Sequence, residues 1–577
     1  MLKKATSFIM IALLFLSVNS SYSRDDIKRQ KIALDGSEIG QPNAKVSHIT
    51  TDDSYPSVTT SFGRATFVPF GAASFYDLQS NGSPAQVWQD PLTPANVHCV
   101  FMNQSPFSGT RQVIYYFSND RGATWGLVGN VTESRGGFPA IRGLNTGAAA
   151  VALHTDAGGG TTRTQLFIDV GPGFGAFARC DPGGIGTSFG IWPRLTVTST
   201  NRTVFISSVS GSAITATNTM TPPCNLTGYV EFPSDQAEAY TLAVAQNGTI
   251  GNAYIVDDAV DQGSVRYRES NDNGVTWVNE ITIFQGTQAD STGCLRGVDM
   301  TFIGNVPFVT FSIDRILGTG FFPTLPSKIA VWSPTVNGGV YKIVASEANV
   351  PYFPNTGLQD GVFTPLCRPV IGRSLTGNAL FLAMNAATGV AAADSNRYFA
   401  TYFTYSANAG VTWSVPERIT PAAPLKDWRY VSISPTSPQV GQLWQVQMVC
   451  ENHNYAGAFS PNEPPGPSDF VGIVMDVIVG INTISNVVPG DFSLAQNYPN
   501  PFNPTTSIRF DIKKSGNVSL KVYNTNGIEV ATLVDNEVLS PGTKEISFDG
   551  ANLNSGAYFY TLSAGDYKET KKMMLIK

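Results

Sequence analysis

Charge is scarce in this chain. Only 14% of its 577 residues are Asp, Glu, Lys or Arg, the formal net charge is −6, and the isoelectric point is near 5.4. No basic stripe runs through it, which excludes a nucleic-acid partner, since binding a phosphate backbone needs clustered Lys and Arg. The Walker-type phosphate loop, the dinucleotide fingerprint and the GxSxG elbow are missing. His48, His98, His154 and His453 stand alone, with no partner at metal-ligand spacing. Cys99, Cys180, Cys224, Cys294, Cys367 and Cys450 are scattered singly. That spacing excludes a zinc cluster and reads as up to three disulfides mixed with buried thiols.

Long hydrophobic runs are missing as well, with one exception. Residues 8–16 are uninterrupted apolar, Lys3 and Lys4 precede them, and Ser21-Tyr22-Ser23 puts small residues at −3 and −1. This is the layout of a secretory signal peptide (1–23), cleaved after Ser23. No other segment approaches transmembrane length, so the mature chain is expected to be exported and soluble.

Helical periodicity is absent, whereas Gly (55) and Pro (36) are plentiful. Short apolar runs punctuated by Gly, Asn, Asp, Ser and Pro predict an all-β protein. At this length it exceeds one ordinary domain.

One pattern occurs three times: Ser118-Asn-Asp120-Arg-Gly122-Ala-Thr124-Trp125, Ser270-Asn-Asp272-Asn-Gly274-Val-Thr276-Trp277 and Ser406-Ala-Asn408-Ala-Gly410-Val-Thr412-Trp413. Each reads as a tight hairpin. The glycine supplies the positive φ, the Asp or Asn accepts from the turn's own amides, and the Trp anchors the returning strand. The pattern resembles the Asp-box, or BNR repeat, of the sialidase superfamily and related β-propellers. The third copy departs, since Asn408 replaces the Asp, and a weaker turn is expected there. In that family the boxes sit at the outer rim of the blades and ligands bind at the central axis.

The first two boxes begin 152 residues apart and the second and third 136. With blades of about 40 to 50 residues, each interval fits three blades. Degenerate box-like turns follow Asp169 and Ser333. The expected fold is a β-propeller of about seven blades over 24–480, with six or eight still open. A surface loop is expected over 461–470 and a linker over 481–490.

Residues 491–577 hold nine basic and nine acidic side chains, denser in charge than the rest, as in a separate small domain. "FSLAQNYPNPFNPTTSIRFDI" (492–512), "SLKVYNTNGIEVATL", "SGAYFYTL" and the closing "KKMMLIK" resemble the type A C-terminal sorting domain of the type IX secretion system. Strands such as Val518, Leu520 and Val522, joined at turns including Asn526-Gly527 and Pro541-Gly542, read as an immunoglobulin-like sandwich. The resemblance implies a partner in the type IX machinery, passage across the outer membrane of a Bacteroidota-type cell, and release or attachment at the surface.

Sialidases of the resembled family clamp a carboxylate with three arginines and use a Tyr–Glu pair and an Asp. That set matches the chemistry, since a guanidinium grips a carboxylate with two bonds and a Tyr needs a base to attack. Between the predicted cleavage region and the first box the arginines placed to serve are Arg64 and Arg111, and neither stands in the family's Arg-Ile-Pro context. Arg135, Arg142, Arg194, Arg296, Arg368, Arg373 and the set Asp427, Arg429, Tyr430 are further polar candidates without a motif. No catalytic residue is assigned and no cofactor is implied. The carboxylates of Val256–Gly263 form a candidate structural Ca²⁺ loop without EF-hand spacing. Trp88, Trp192, Trp332, Trp428 and Trp444 would stack on sugar rings if exposed and pack a core if not. The function expected first is an exported propeller binding glycan or protein ligands without catalysis. A sialidase-type hydrolase with a diverged site is the second reading and a structural or adhesive surface component the third.

Overall fold

The structure is a computed structural model. It describes residues 55–577 except 75–81, 104–109, 157–161, 183–189, 210–211, 220–224, 235, 257–262, 288, 318–319, 323, 355–362, 393–394, 441–442, 458–467, 479–480, 486 and 551–552. The expected signal peptide, Cys224, most of the 461–470 loop and the carboxylates of the expected Ca²⁺ loop lie outside the described residues. Strands dominate, and among the described residues one 3₁₀ turn, Asn337–Gly339, is the only helical element. None of those residues forms a helix long and apolar enough to cross a membrane.

The chain runs as successive antiparallel meanders. Six are local, over 87–130, 136–182, 191–233, 236–284, 298–345 and 366–418. The second and third are joined by a two-pair parallel link between Asp181–Pro182 and Asn225–Leu226. The seventh is built from both ends of the propeller: Asp427–Ile433, Leu443–His453 and Ser468–Ile478 are completed by Gly63–Ser74 and Val58–Thr60. The first strand of each meander touches the first strand of the next, and that of the seventh returns to Val87–Gln89. This closed cycle of radially arranged sheets is a β-propeller, and its closure removes the exposed junction that an open row of sheets would leave.

Strand sequences explain the packing. Apart from His98, Val97–Met102 is apolar on both faces, and it is buried throughout. It lies between two other sheets, so alternation would put polar groups into a core. Phe101 stacks on Phe470 of the seventh meander, with centroids 3.7 Å apart.

Two expectations are corrected. The interval between the second and third boxes holds two meander steps, not three, because the fifth meander is long. Its strand Val306–Leu317 carries an extra hairpin partner, Gly320–Phe322, and residues 346–365 separate it from the sixth. Within the expected linker, Ile481–Ser485 is a strand pairing with Gly542–Asp549. Its two Ile, three residues apart, fall on opposite faces, and Ile484 is exposed.

Residues 481–575 form two four-stranded sheets around one core that includes Ile508, Phe510, Leu520, Val522, Ile546 and Leu562. Asn497 is buried and fastens the loop before Thr505–Ile512, its N–H donating to Tyr560 Oη at 2.8 Å and its Nδ2 to Thr506 Oγ1 at 3.0 Å. Cys180 is disulfide-bonded, while Cys99, Cys294 and Cys450 are buried free thiols.

Candidate functional site

The inner strands all begin at one end of the propeller, the entry face, and four of them open with the same irregularity. Phe138, Trp192, Arg368 and Tyr430 take positive φ (53°, 55°, 51° and 57°), each at a break in strand register. Proline follows the first three, where the interrupted ladder needs no donor. A bulge with a left-handed non-glycine residue re-aims side chains and stores backbone strain, a combination that concentrates at functional sites.

The segment Gly82–Ser83 lies between these strands. Arg194 Nη2 donates to the Ser83 carbonyl at 3.1 Å and Arg368 Nη1 to that of Gly82 at 2.8 Å. Ser83 Oγ donates to the Pro369 carbonyl at 2.7 Å. A Cβ on Gly82 would lie 3.4 Å from Ala239 Cα. The segment therefore meets the third, fourth and sixth meanders across the ring.

An arginine–aromatic stack stands beside it. Arg368 lies over Phe363 (4.6 Å) and Tyr430 (5.0 Å), and Arg429 lies over Phe363 and Phe399 (4.3 Å each). Arg429 Nε pairs with Asp427 Oδ2 at 2.7 Å, and Asp427 also accepts from the N–H groups of Phe399 and Gly457. Thr364 Oγ1, next to Phe363, donates to the buried Asp314 at 2.6 Å. Ser312 Oγ and the Leu295 N–H complete that carboxylate's bonds. Burial still raises the Asp314 carboxyl to about 6.

Further along the axis, Asp299 accepts from Thr241 Oγ1 at 3.0 Å and the Ile371 N–H at 2.9 Å. Burial raises its pKa, opposed by those bonds and by Arg142. Burial lowers Arg142 to about 10, where Asp299 acts to raise it and Arg194 to lower it further. Arg194 is lowered by burial too, with Arg368 adding to the effect. Arg142 and Arg194 thus share the field of the Asp299 carboxylate.

The three SxDxGxTW-type turns lie at the opposite face, between the third and fourth strands of the first, fourth and sixth meanders. In the first, Ser118 Oγ donates to Asp120 Oδ1 (2.7 Å) and accepts from the Gly122 N–H (2.8 Å), while Thr124 donates through N–H (2.9 Å) and Oγ1 (2.6 Å) to Asp120. Partial desolvation opposes the charge on Asp120, but the bonds from Thr124 and Ser118 outweigh it and hold the carboxyl below its usual range. Ser270, Asp272, Gly274 and Thr276 repeat this set. Asn408 repeats it as well: Oδ1 accepts from Ser406 Oγ and the Thr412 N–H, and Nδ2 donates to Thr412 Oγ1 at 2.9 Å. Each turn also packs on the preceding meander, Trp125 against Phe70, Trp277 against Phe232 and Trp413 in the cluster around Phe308. The degenerate turns after Asp169 and Ser333 occupy the same place in the second and fifth meanders.

Of the sequence candidates, Arg142, Arg194 and Arg368 are brought together at the axis, and Asp427, Arg429 and Tyr430 join them at the entry face. Arg64 lies elsewhere, bonded to Ser57 Oγ, and Arg373 holds the Ser374 and Leu375 carbonyls at the far end of its strand. Arg111 donates to the Gly136 carbonyl at 3.2 Å. Trp88, Trp192, Trp332, Trp428 and Trp444 are all buried, so none is a sugar platform. Among the described residues no three His, Cys, Asp or Glu side chains gather as a metal site. Phe363, Asp299, Asp314 and Gly82–Ser83 were not foreseen. Only the Phe-Pro, Trp-Pro and Arg-Pro dipeptides at 138, 192 and 368 signalled the bulges.

Fold and site thus define a β-propeller followed by a small two-sheet domain. Residues 496–577 match the family described as the secretion system C-terminal sorting domain. The protein is a type IX-sorted β-propeller delivered to the cell surface or the extracellular space. No curated protein matches the sequence. Similar solved structures include a thermostable family-43 glycoside hydrolase (10% identity, 59% of this chain and 93% of that one, TM-score 0.31). Others are the GH62 α-L-arabinofuranosidase catalytic domain of Coprinopsis cinerea (10%, 49% and 89%, 0.28) and a family 43 arabinoxylan arabinofuranohydrolase of Bacillus subtilis (10%, 76% and 94%, 0.28). Scores this low carry no argument about activity.

Proposed function

We infer that this protein is a seven-bladed propeller that binds a glycan or protein ligand at its entry face without turning it over. The observation that carries the reading is the placement of Gly82–Ser83 between Arg194 and Arg368. The arginines nearest the axis hold main chain of the protein itself, where a hydrolase would hold substrate. Carboxylates are engaged in the same way. Asp427 holds Arg429 and two amides, Asp314 three donors, and Asp299 Thr241 and Ile371. Glycoside hydrolysis usually needs two carboxyl groups facing one bond across about 5 to 9.5 Å. Engaged acids favour binding over that chemistry.

The second reading, a sialidase-type hydrolase, draws on Arg142, Arg194 and Arg368 lying in one another's field at the axis, a surplus of positive charge suited to an anionic group. A glycan array probed with the purified protein, with bound glycans recovered for mass analysis, separates the two. Glycans captured and recovered intact support binding. Glycans recovered shortened overturn it.

A further inference from the structure

The turn from His453 to Gly457 stands on the entry face, just beyond the strand Leu443–His453. It is fastened at four points. Lys426 Nζ donates to Asn454 Oδ1 at 2.7 Å and Tyr398 Oη to the Asn454 carbonyl at 3.2 Å. The Gly457 N–H donates to Asp427 Oδ2 at 2.9 Å, and His453 Nδ1 lies 3.1 Å from the Tyr455 carbonyl. Lys426 and Asp427 are buried, so the turn hangs from groups inside the blade. Yet the residue it carries outward, Tyr455, is 47% exposed. His453 meets its ring at 62° with centroids 5.5 Å apart, an edge contact that covers at most one face.

The turn that carries this ring is already fixed by folding, so a ligand stacking on the ring has little main chain left to order. Polar groups beside it match a sugar. Asn454 is exposed, its Oδ1 is taken by Lys426, and its Nδ2 has no partner among the described residues, leaving a donor for a hydroxyl. The neighbouring cations are engaged within the protein, Lys426 with Asn454 and Arg429 with Asp427. Among the described residues an acidic sugar finds no open countercharge there, while a neutral ring needs only the apolar face and the amide.

We propose that Tyr455 and Asn454 form a stacking site for a neutral pyranose ring of a polysaccharide. This rests on the binding reading above and narrows its ligand class. The test is native affinity electrophoresis of the full chain in gels containing laminarin, galactomannan, xyloglucan or arabinoxylan, with polygalacturonate as the acidic comparison. At least one neutral polymer is expected to retard the protein. Tyr455→Ala should weaken that retardation about tenfold or more with unchanged thermal stability, and Tyr455→Trp should retain it. Equal retardation of wild type and Tyr455→Ala overturns this site while leaving the binding reading intact. Retardation by polygalacturonate alone overturns the neutral class. If no polymer retards the protein, the proposal is wrong, and the binding reading falls too only if the glycan array is blank.

Discussion

Arg368 Nη1 donates to the Gly82 carbonyl at 2.8 Å, joining residues 286 positions apart in sequence across the ring. The side chain is 1% exposed and lies against Phe363 and Tyr430. Arg368→Ala leaves a buried carbonyl without its donor and a void beside the Phe363–Tyr430 pair, and is expected to cost about 2–4 kcal/mol in urea unfolding. Arg368→Lys should recover little, because an ammonium neither stacks as a plane nor keeps the same reach. Full recovery by Lys would contradict the stacking account.

The turn glycines separate strain from space. Gly122 has φ 78°, and a Cβ there would lie 2.6 Å from Gln447 Oε1, whose side chain also donates to the Arg121 carbonyl. Gly410 has φ 79°, but its nearest neighbour would be Phe308 at 3.4 Å. Gly410→Ala should cost about 1–2 kcal/mol from the left-handed backbone alone. Gly122→Ala should cost more, since it also displaces Gln447. Equal losses in chemical denaturation would show that the packing onto the seventh meander contributes nothing.

Asn408 does the work of the carboxylates in the other two turns with the direction of one bond reversed, as its Nδ2 donates to Thr412 Oγ1. Asn408→Asp is therefore expected to change stability at pH 7 by less than about 0.5 kcal/mol. Asp120→Ala, which removes the acceptor for Ser118 and Thr124, should cost about 1 kcal/mol. The Asp120 pKa is depressed, so its contribution is present above the ordinary carboxylate range and lost as pH falls through the folded value. Thermal scans of Asp120→Ala and wild type should lie furthest apart near neutral pH and approach each other in acid.

Asp314 has the opposite sign. Its folded pKa is raised to about 6, so the folded state holds the proton more tightly than the unfolded chain. Stability is expected to fall as pH rises from about 4 to about 6, by up to about 3 kcal/mol, and to stay level above that. Asp314→Asn should abolish this slope when urea midpoints are compared across the range. Parallel profiles for the two proteins would show that Asp314 is not the titrating group.

Much of the fold was readable because its determinants are local. A turn needing Ser, an acceptor, Gly, Thr and Trp at fixed offsets writes itself into eight residues, and the loop around Asn497 writes itself into "NYPNPFNP". Asn408 shows the limit of reading by residue type, since an amide supplies the same acceptor as a carboxylate and the anticipated weakening is not apparent in its bonds. The meander count between the second and third boxes misled because length cannot distinguish another blade from one long blade with an extra hairpin. The entry face was least legible. Gly82, Arg194, Asp299, Arg368 and Asp427 meet only when the ring closes, and nothing near any one of them announces the others. Tyr455 carried no motif, and its role follows from anchors on three separate segments.

The central claim, a propeller whose entry-face arginines hold its own chain and not a substrate, is tested most directly by turnover of a fluorogenic sialoside at high protein concentration. No release above blank is expected, in wild type and in Arg194→Ala alike. Release by wild type that disappears in a folded Arg194→Ala variant would contradict that claim and make the guanidinium cluster an active site.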